Sequence, residues 1–176
     1  MKWGEYYKVH SILHDLRKNV GDSEFGFRIQ GLLAHALIRL GIKIFEVNHQ
    51  GHPDIVGDVE NKRIKLEVEA AVGKARKRII DEEDIEAIKP NNKNEKGYFA
   101  VLDCGLPPEW LLVDYQRLKW RSSESLSMIT LKSLSDKEFS SKCTKQFFNL
   151  VLLNTKRLPR FTFSILRDRA LRGDEL

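Results

Sequence analysis

Three carboxylates in the second quarter of the chain offer the clearest chemistry in the sequence. Asp54 lies in Gly51-His52-Pro53-Asp54-Ile55-Val56-Gly57, and Glu67 and Glu69 lie in Ile64-Lys65-Leu66-Glu67-Val68-Glu69-Ala70. Both segments read as β-strands, with a tight turn between them at Glu60 to Arg63. Alternation puts Lys65, Glu67 and Glu69 on one face of the second strand, and Ile64, Leu66, Val68 and Ala70 on the other. With Asn61-Lys62 as the turn, Val59 pairs with Ile64, Asp58 with Lys65, Val56 with Glu67 and Asp54 with Glu69. Directly opposed residues share a face of a sheet. Asp54 and Glu69 are then neighbours, with Glu67 diagonal to both. Like charges so placed repel, and a cation between them removes the repulsion. The pattern predicts a divalent-metal site; solvated carboxylates on an outer strand face are the competing reading. Asp58 opposite Lys65 reads as an ordinary cross-strand ion pair.

The rest of the chain must position that hairpin. At 176 residues and 41% hydrophobic, it can bury one substantial core, and residues 1–176 read as a single domain. No apolar run approaches membrane-spanning length, and the first residues do not resemble a signal peptide, so a soluble, cytoplasmic protein with no membrane partner is expected. Cys104 and Cys143 lie far apart and suggest neither a disulfide framework nor a zinc site. The net charge of +5 is unevenly placed: residues 107–176 hold 13 basic and 8 acidic side chains, whereas the two preceding stretches balance. Lys156, Arg157, Arg160, Arg167, Arg169 and Arg172 make the C-terminal end the most basic part. A basic segment joined to an acidic cluster suits a protein that grips a polyanion by its phosphates; a solvated basic tail is the plainer alternative.

Residues 3–19 read as a helix. A second helix carries Phe25, Ile29, Leu32, Leu33, Ala36, Leu37 and Leu40 at helical spacing and ends at Gly41. Residues 42–48 read as a strand leading to the acidic hairpin. A further helix is expected from Lys74 to Lys89, stopped by Pro90, with a basic start and an acidic middle that oppose the helix dipole. Gly97 to Cys104 and Trp110 to Val113 read as strands, residues 121–127 as a loop and Met128 to Leu134 as a strand. Ser135-Asp136-Lys137-Glu138 resembles a capping box that opens a helix running to about Thr155. The whole is an α/β chain with a mixed central sheet flanked by helices.

The order helix, strand, Pro-Asp strand, Glu-x-(Lys/Glu) strand, helix, strand resembles the PD-(D/E)XK nuclease superfamily over residues 22–104. Gly26-x3-Gln30-x10-Gly41 followed by Pro53-Asp54-x12-Glu67-x-Glu69 is most similar to its Mrr-type and Holliday-junction-resolvase branches. The resemblance implies a restriction-endonuclease-like core, with residues 107–176 as a C-terminal extension of additional strand and helices packed on it. It also implies a Mg2+- or Mn2+-dependent endonuclease acting on DNA, as a homodimer in many small relatives. Asp54, Glu67 and the Val68 carbonyl would be metal ligands, and Glu69, standing where the family has lysine, a ligand or the base for the attacking water. Lys74 or Lys65 would replace the missing cation. Lys74, Arg76, Lys77 and Arg78 would meet nucleic-acid phosphates. Gln30 takes the place of the family's helix glutamate, with Glu24 as the competing candidate on the solvent side of the helix. Loss of lysine and glutamate also fits a catalytically degenerate module that binds nucleic acid or a protein partner.

His52, just before Pro53, could touch the site, with a loop-surface histidine as the commoner reading, and His10, His14, His35 and His49 show no ligand spacing. Asp103 and Asp114 read as structural. Of Trp110, Tyr115 and Trp120, at least two read as core, with base stacking open to the remainder.

Overall fold

A computed structural model describes residues 2–49, 52–71 and 77–176. Its chain order is α1 (Trp3–Val20), α2 (Asp22–Ile38), β1 (Lys43–Val47), β2 (Ile55–Val59), β3 (Lys62–Ala71), β4 (Lys77–Ile79), α3 (Glu82–Ala87), β5 (Glu95–Asp103), β6 (Glu109–Asp114), α4 (Tyr115–Leu118), β7 (Ser125–Ser127), α5 (Met128–Leu134), α6 (Lys137–Leu153), a 3-10 turn (Leu158–Arg160) and α7 (Phe163–Arg172). Among the described residues the architecture is a five-stranded mixed sheet, ordered β1-β2-β3-β5-β6, with seven α-helices and a two-stranded β4-β7 ribbon. The β3–β5 pair is parallel and its neighbours are antiparallel. Among these residues no helix is long and apolar enough to cross a membrane.

The alternation along β3 separates two cores. Ile64, Leu66, Tyr98, Ala100, Leu102, Trp110 and Leu112 join one cluster with the buried stripes of α1, α2, α6 and α7. Phe99, Val101, Leu111 and Val113 face the other way, against Ile85, Ile88, Leu118, Leu126 and Leu131. Helix α2 is buried along most of its length, from Phe25 to Leu37, because α1, α6, α7 and the sheet all pack on it. That location explains its almost continuous apolar sequence, which a helix with one wet face would not carry. The C-terminal part is integral to the sheet layer: β6 completes one edge, and α6 packs on both α2 and β6. Gly97 in β5 is required by a close approach, since a Cβ there would stand 1.6 Å from the Ile88 carbonyl oxygen.

Four expectations are corrected. The hairpin pairs Val59 with Lys62, Asp58 with Arg63 and Val56 with Lys65, so the turn is Glu60-Asn61 rather than Asn61-Lys62. Both turn residues have positive φ, 47° and 64°, the backbone that a two-residue hairpin turn needs to match the twist of its strands. The single helix expected from Lys74 to Lys89 is instead β4 followed by α3, whose first turn is acidic. Asp81 opens α3 in a reciprocal capping box with Asp84, so the acids sit where the dipole favours them. Met128–Leu134 is a helix, not a strand: Ser127 caps it by accepting the Thr130 N–H, and Met128 and Leu131 are buried while Ile129 is exposed. Ser125–Ser127, expected as loop, pairs with β4.

Candidate functional site

A pocket of about 320 Å³ opens where β2 begins and β3 ends. Gln30 of α2, His52 and Asp54 of the segment entering β2, Glu67 and Glu69 of β3, and Asp84 of α3 all line it. The shifted hairpin register explains the grouping. Ile55 pairs with Leu66, so continuing the ladder sets Asp54 against Glu67 instead of Glu69. A shift of two residues leaves every side chain on its expected face, whereas a shift of one would have reversed them all.

Asp54 is firmly held. Its Oδ2 accepts the Val68 N–H at 2.8 Å. Its carbonyl accepts the Asn48 N–H at 2.8 Å and the Gln30 Nε2 at 3.1 Å. The same Gln30 nitrogen donates to the Asn48 carbonyl at 2.7 Å, and Asn48 Nδ2 donates to the Pro53 carbonyl at 2.7 Å. Gln30 is itself only 3% exposed. It therefore acts on Asp54 by fixing the backbone that carries it.

Glu67 is the least compensated group. It is 6% exposed; its Oε1 lies 2.8 Å from His52 Nδ1, and its Oε2 is buried with no hydrogen-bond partner. Asp84 approaches from α3, with its Oδ2 accepting the Asp81 N–H at 3.2 Å. One ligand atom from each of His52, Glu67 and Asp84 lies within 4.8 Å of the other two. Glu69 is exposed at the mouth of this group.

The electrostatics follow from burial without an adequate countercharge. Burial raises the Glu67 carboxyl far above its ordinary range, and the neighbouring Asp54 and Asp84 charges push it further. Burial also raises Asp54, against the pull of the Val68 N–H. Asp84 is raised by burial and by the Asp81 charge, with the Asp81 N–H opposing. Surrounding protein raises Glu69 as well, although its side chain reaches solvent, and the Arg78 guanidinium works against that shift. Four carboxyls around one small pocket thus all resist ionisation.

Of the residues predicted for the site, Asp54, Glu67, Val68, Glu69 and Gln30 meet at this pocket. Lys74 and Arg76 lie outside the described residues, as does the side chain of Lys77. Arg78 donates from Nη2 to the Ala70 carbonyl at 2.6 Å, which ties it to the end of β3. Lys65 does not pair with Asp58, because the register sets Asp58 beside Arg63, at 3.2 Å. Lys65 instead lies 2.8 Å from Glu95 and donates to the Lys89 carbonyl, so it is not the cation of the acidic pocket. Glu24 pairs with Arg28 at 2.7 Å.

Asp84 is the member that sequence reasoning missed, and His52 is one it ranked behind a loop-surface role. The Asp81-x-x-Asp84 spacing was a usable sign of a helix start, and hence of acids gathered at one end of α3. Only its place before Pro53-Asp54 marked His52, and its contact with Glu67, 15 residues away in sequence, was not legible. His35 is a structural histidine: it is buried, lies 2.9 Å from the Leu166 carbonyl oxygen, and is pushed down to about 4 by burial. Asp103 and Asp114 serve local turns by accepting the Gly105 and Gln116 N–H groups. Trp110 is fully buried, Tyr115 packs against the second core, and Trp120 is 83% exposed.

No protein-family model, curated protein or solved structure matches the chain.

Proposed function

We propose that the protein is a dication-dependent endonuclease that hydrolyses phosphodiester bonds in DNA, with a restriction-endonuclease-like core as the PD-(D/E)XK resemblance implies. The observation that carries the reading is Glu67 Oε2, a buried carboxylate oxygen without a partner, in a pocket it shares with Asp54, Glu69 and Asp84. Oxygen-rich, anionic and short of positive charge, this donor set fits a hard divalent cation such as Mg2+ or Mn2+. Asp54 and Glu67 would hold it, joined by the Val68 carbonyl, which in extended backbone leaves the strand on the same side as its N–H. When bound, the cation lowers the pKa of water and offsets charge developing on the phosphoryl oxygens.

The chain's own groups do the positioning. The Val68 N–H fixes one oxygen of Asp54, and Gln30 fixes its carbonyl. Glu69, at the exposed mouth, is the carboxylate best placed to accept the proton of an attacking water. Burial raises its proton affinity above the ordinary carboxylate value, against the pull of Arg78, which is the direction a base needs. Lys74 and Arg76 are assigned to phosphates flanking the scissile bond. Arg78 is assigned to bracing β3, given its hold on Ala70.

One observation favours a second reading, a binding module without catalysis: Lys65 is committed to Glu95, and no lysine lines the pocket among the described residues. Cleavage of supercoiled plasmid and branched DNA with Mg2+ or Mn2+ separates the two. Metal-dependent nicking that falls on the order of a thousandfold in Asp54→Ala and Glu67→Ala is expected, equivalent to several kcal/mol of lost transition-state stabilisation. DNA binding without cleavage, insensitive to both substitutions, would establish the binding module.

A further inference from the structure

We infer that His52 and Asp84 extend the pocket into a mixed nitrogen–oxygen metal site that binds transition-metal dications such as Mn2+ and Co2+ in preference to Mg2+. The inference rests on the reading of the pocket as a dication site and is independent of what the protein cleaves.

Three observations carry it. Ligand atoms of His52, Glu67 and Asp84 fall within 4.8 Å of one another, although the residues come from a loop, a strand and a helix. Two donors bound side by side to one ion at about 2.1 Å stand about 3.0 Å apart. His52 Nδ1 and Glu67 Oε1, 2.8 Å apart, already have nearly that spacing. Glu67, only 6% exposed, directs an oxygen with no partner into the same pocket. Hydrogen bonding to His52 accounts for one Glu67 oxygen, the Asp54 carboxyl is the other group that faces Glu67, and a shared cation accounts for all three. Asp84 contributes as well: the Asp81 N–H occupies its Oδ2, and among the described residues no hydrogen bond engages its Oδ1.

The nitrogen donor sets the preference. Mg2+ takes oxygen ligands and keeps much of its water, so an imidazole adds little to its affinity. Imidazole strengthens binding from Mn2+ through Co2+ to the later first-row ions. Carboxylates alone already favour Mn2+ somewhat over Mg2+, so the test must isolate the contribution of the imidazole.

Binding of MnCl2, CoCl2 and MgCl2 to the full-length protein by isothermal titration, without DNA, provides that test, with wild type compared against His52→Asn, Asp84→Asn and Glu67→Gln. Because His52 is 42% exposed, its substitution leaves the core intact, which thermal unfolding checks. In wild type, Co2+ should bind at least about tenfold tighter than Mg2+. His52→Asn should weaken Co2+ by about tenfold or more and Mg2+ by less than about threefold. Nitrogen modulation in the electron spin echo of bound Mn2+ should be present in wild type and absent in His52→Asn. Asp84→Asn should weaken all three ions, and Glu67→Gln should abolish binding. If Mg2+ and Co2+ bind alike, or His52→Asn weakens both equally, the inference fails while the dication reading stands. If no dication binds wild type, both fail.

Discussion

Lys65 and Glu67 stand two residues apart on the same face of β3 and meet opposite fates. Lys65 has Glu95 at 2.8 Å, and Glu95 is further held by the Asn91 N–H at 2.9 Å. Glu67, more deeply buried, has an exposed histidine on one oxygen and nothing on the other. A fold that supplies a partner for one charge and withholds it from the next separates a structural position from the one on which the proposed site rests. The sequence Lys-x-Glu carries no trace of this asymmetry. It arises from which strand lies alongside: β5 delivers Glu95 to one end of β3, while the segment before β2 delivers another carboxylate, Asp54, to the other end.

The largest expected effect comes from neutralising the uncompensated member. A carboxyl raised in the folded state keeps its proton where the unfolded chain has already released one. Its favourable contribution is therefore fully present below the ordinary value of 4.5 and is lost as pH rises towards the folded value. Melting in EDTA should accordingly show wild-type stability falling between about pH 5 and pH 8. Glu67→Gln should flatten that slope and gain about 2 kcal/mol or more at the upper end, roughly 4–8 °C in Tm. Excess Mn2+ should reverse the wild-type trend, because ligands must be deprotonated to bind it. A wild-type slope unchanged by the substitution would show that Glu67 is compensated after all.

An intermediate effect is expected at Gln30. Gln30→Ala removes two hydrogen bonds to the carbonyls of Asn48 and Asp54. The cost should be about 1–2 kcal/mol of stability, with dication affinity about tenfold weaker, as for other residues that orient a ligand from behind. Calorimetric melting and metal titration of the same sample read both. Unchanged metal affinity would confine Gln30 to packing.

Lys65→Met should do least. The apolar stem is kept and Glu95 retains its N–H donor, so about 1 kcal/mol or less should be lost. Metal binding should not change. A loss of metal affinity here would erase the contrast between the two ends of the strand.

The site was readable in the sequence where periodicity decides the outcome and unreadable where a distant segment does. Face assignment along β3 survived an incorrect register because the error was two residues, and helix α2 announced itself through Phe25, Ile29, Leu32 and Leu33. The turn was misplaced because Asn61 suits more than one position of a tight turn, and only the backbone angles of Glu60 and Asn61 decide. The stretch from Lys74 to Lys89 favours a helix by composition, yet pairing of β4 with β7 and the cap at Asp81 override that preference. Met128–Leu134 is rich in residues that suit strands, but the Ser127 cap and the burial of Met128 and Leu131 make it helical. Contacts that join residues 52, 67 and 84 belong to tertiary structure, and no local pattern contains them.

One further consequence follows from the unequal lengths of the hairpin strands. Pairing of β2 with β3 stops at Ile55 and Leu66, yet β3 runs on to Ala71. On that side the Val68 N–H is taken by the Asp54 carboxylate and the Ala70 carbonyl by the Arg78 guanidinium. An open stretch of strand edge is where an extended segment of another molecule adds itself, the first step of edge-to-edge aggregation. Here two side chains of opposite charge take over hydrogen bonds that an intruding strand would make, in a neighbourhood already dense with carboxylates. Asp54, one of the side chains that build the acidic pocket, and Arg78 thereby also occupy strand-edge groups that a second strand would need.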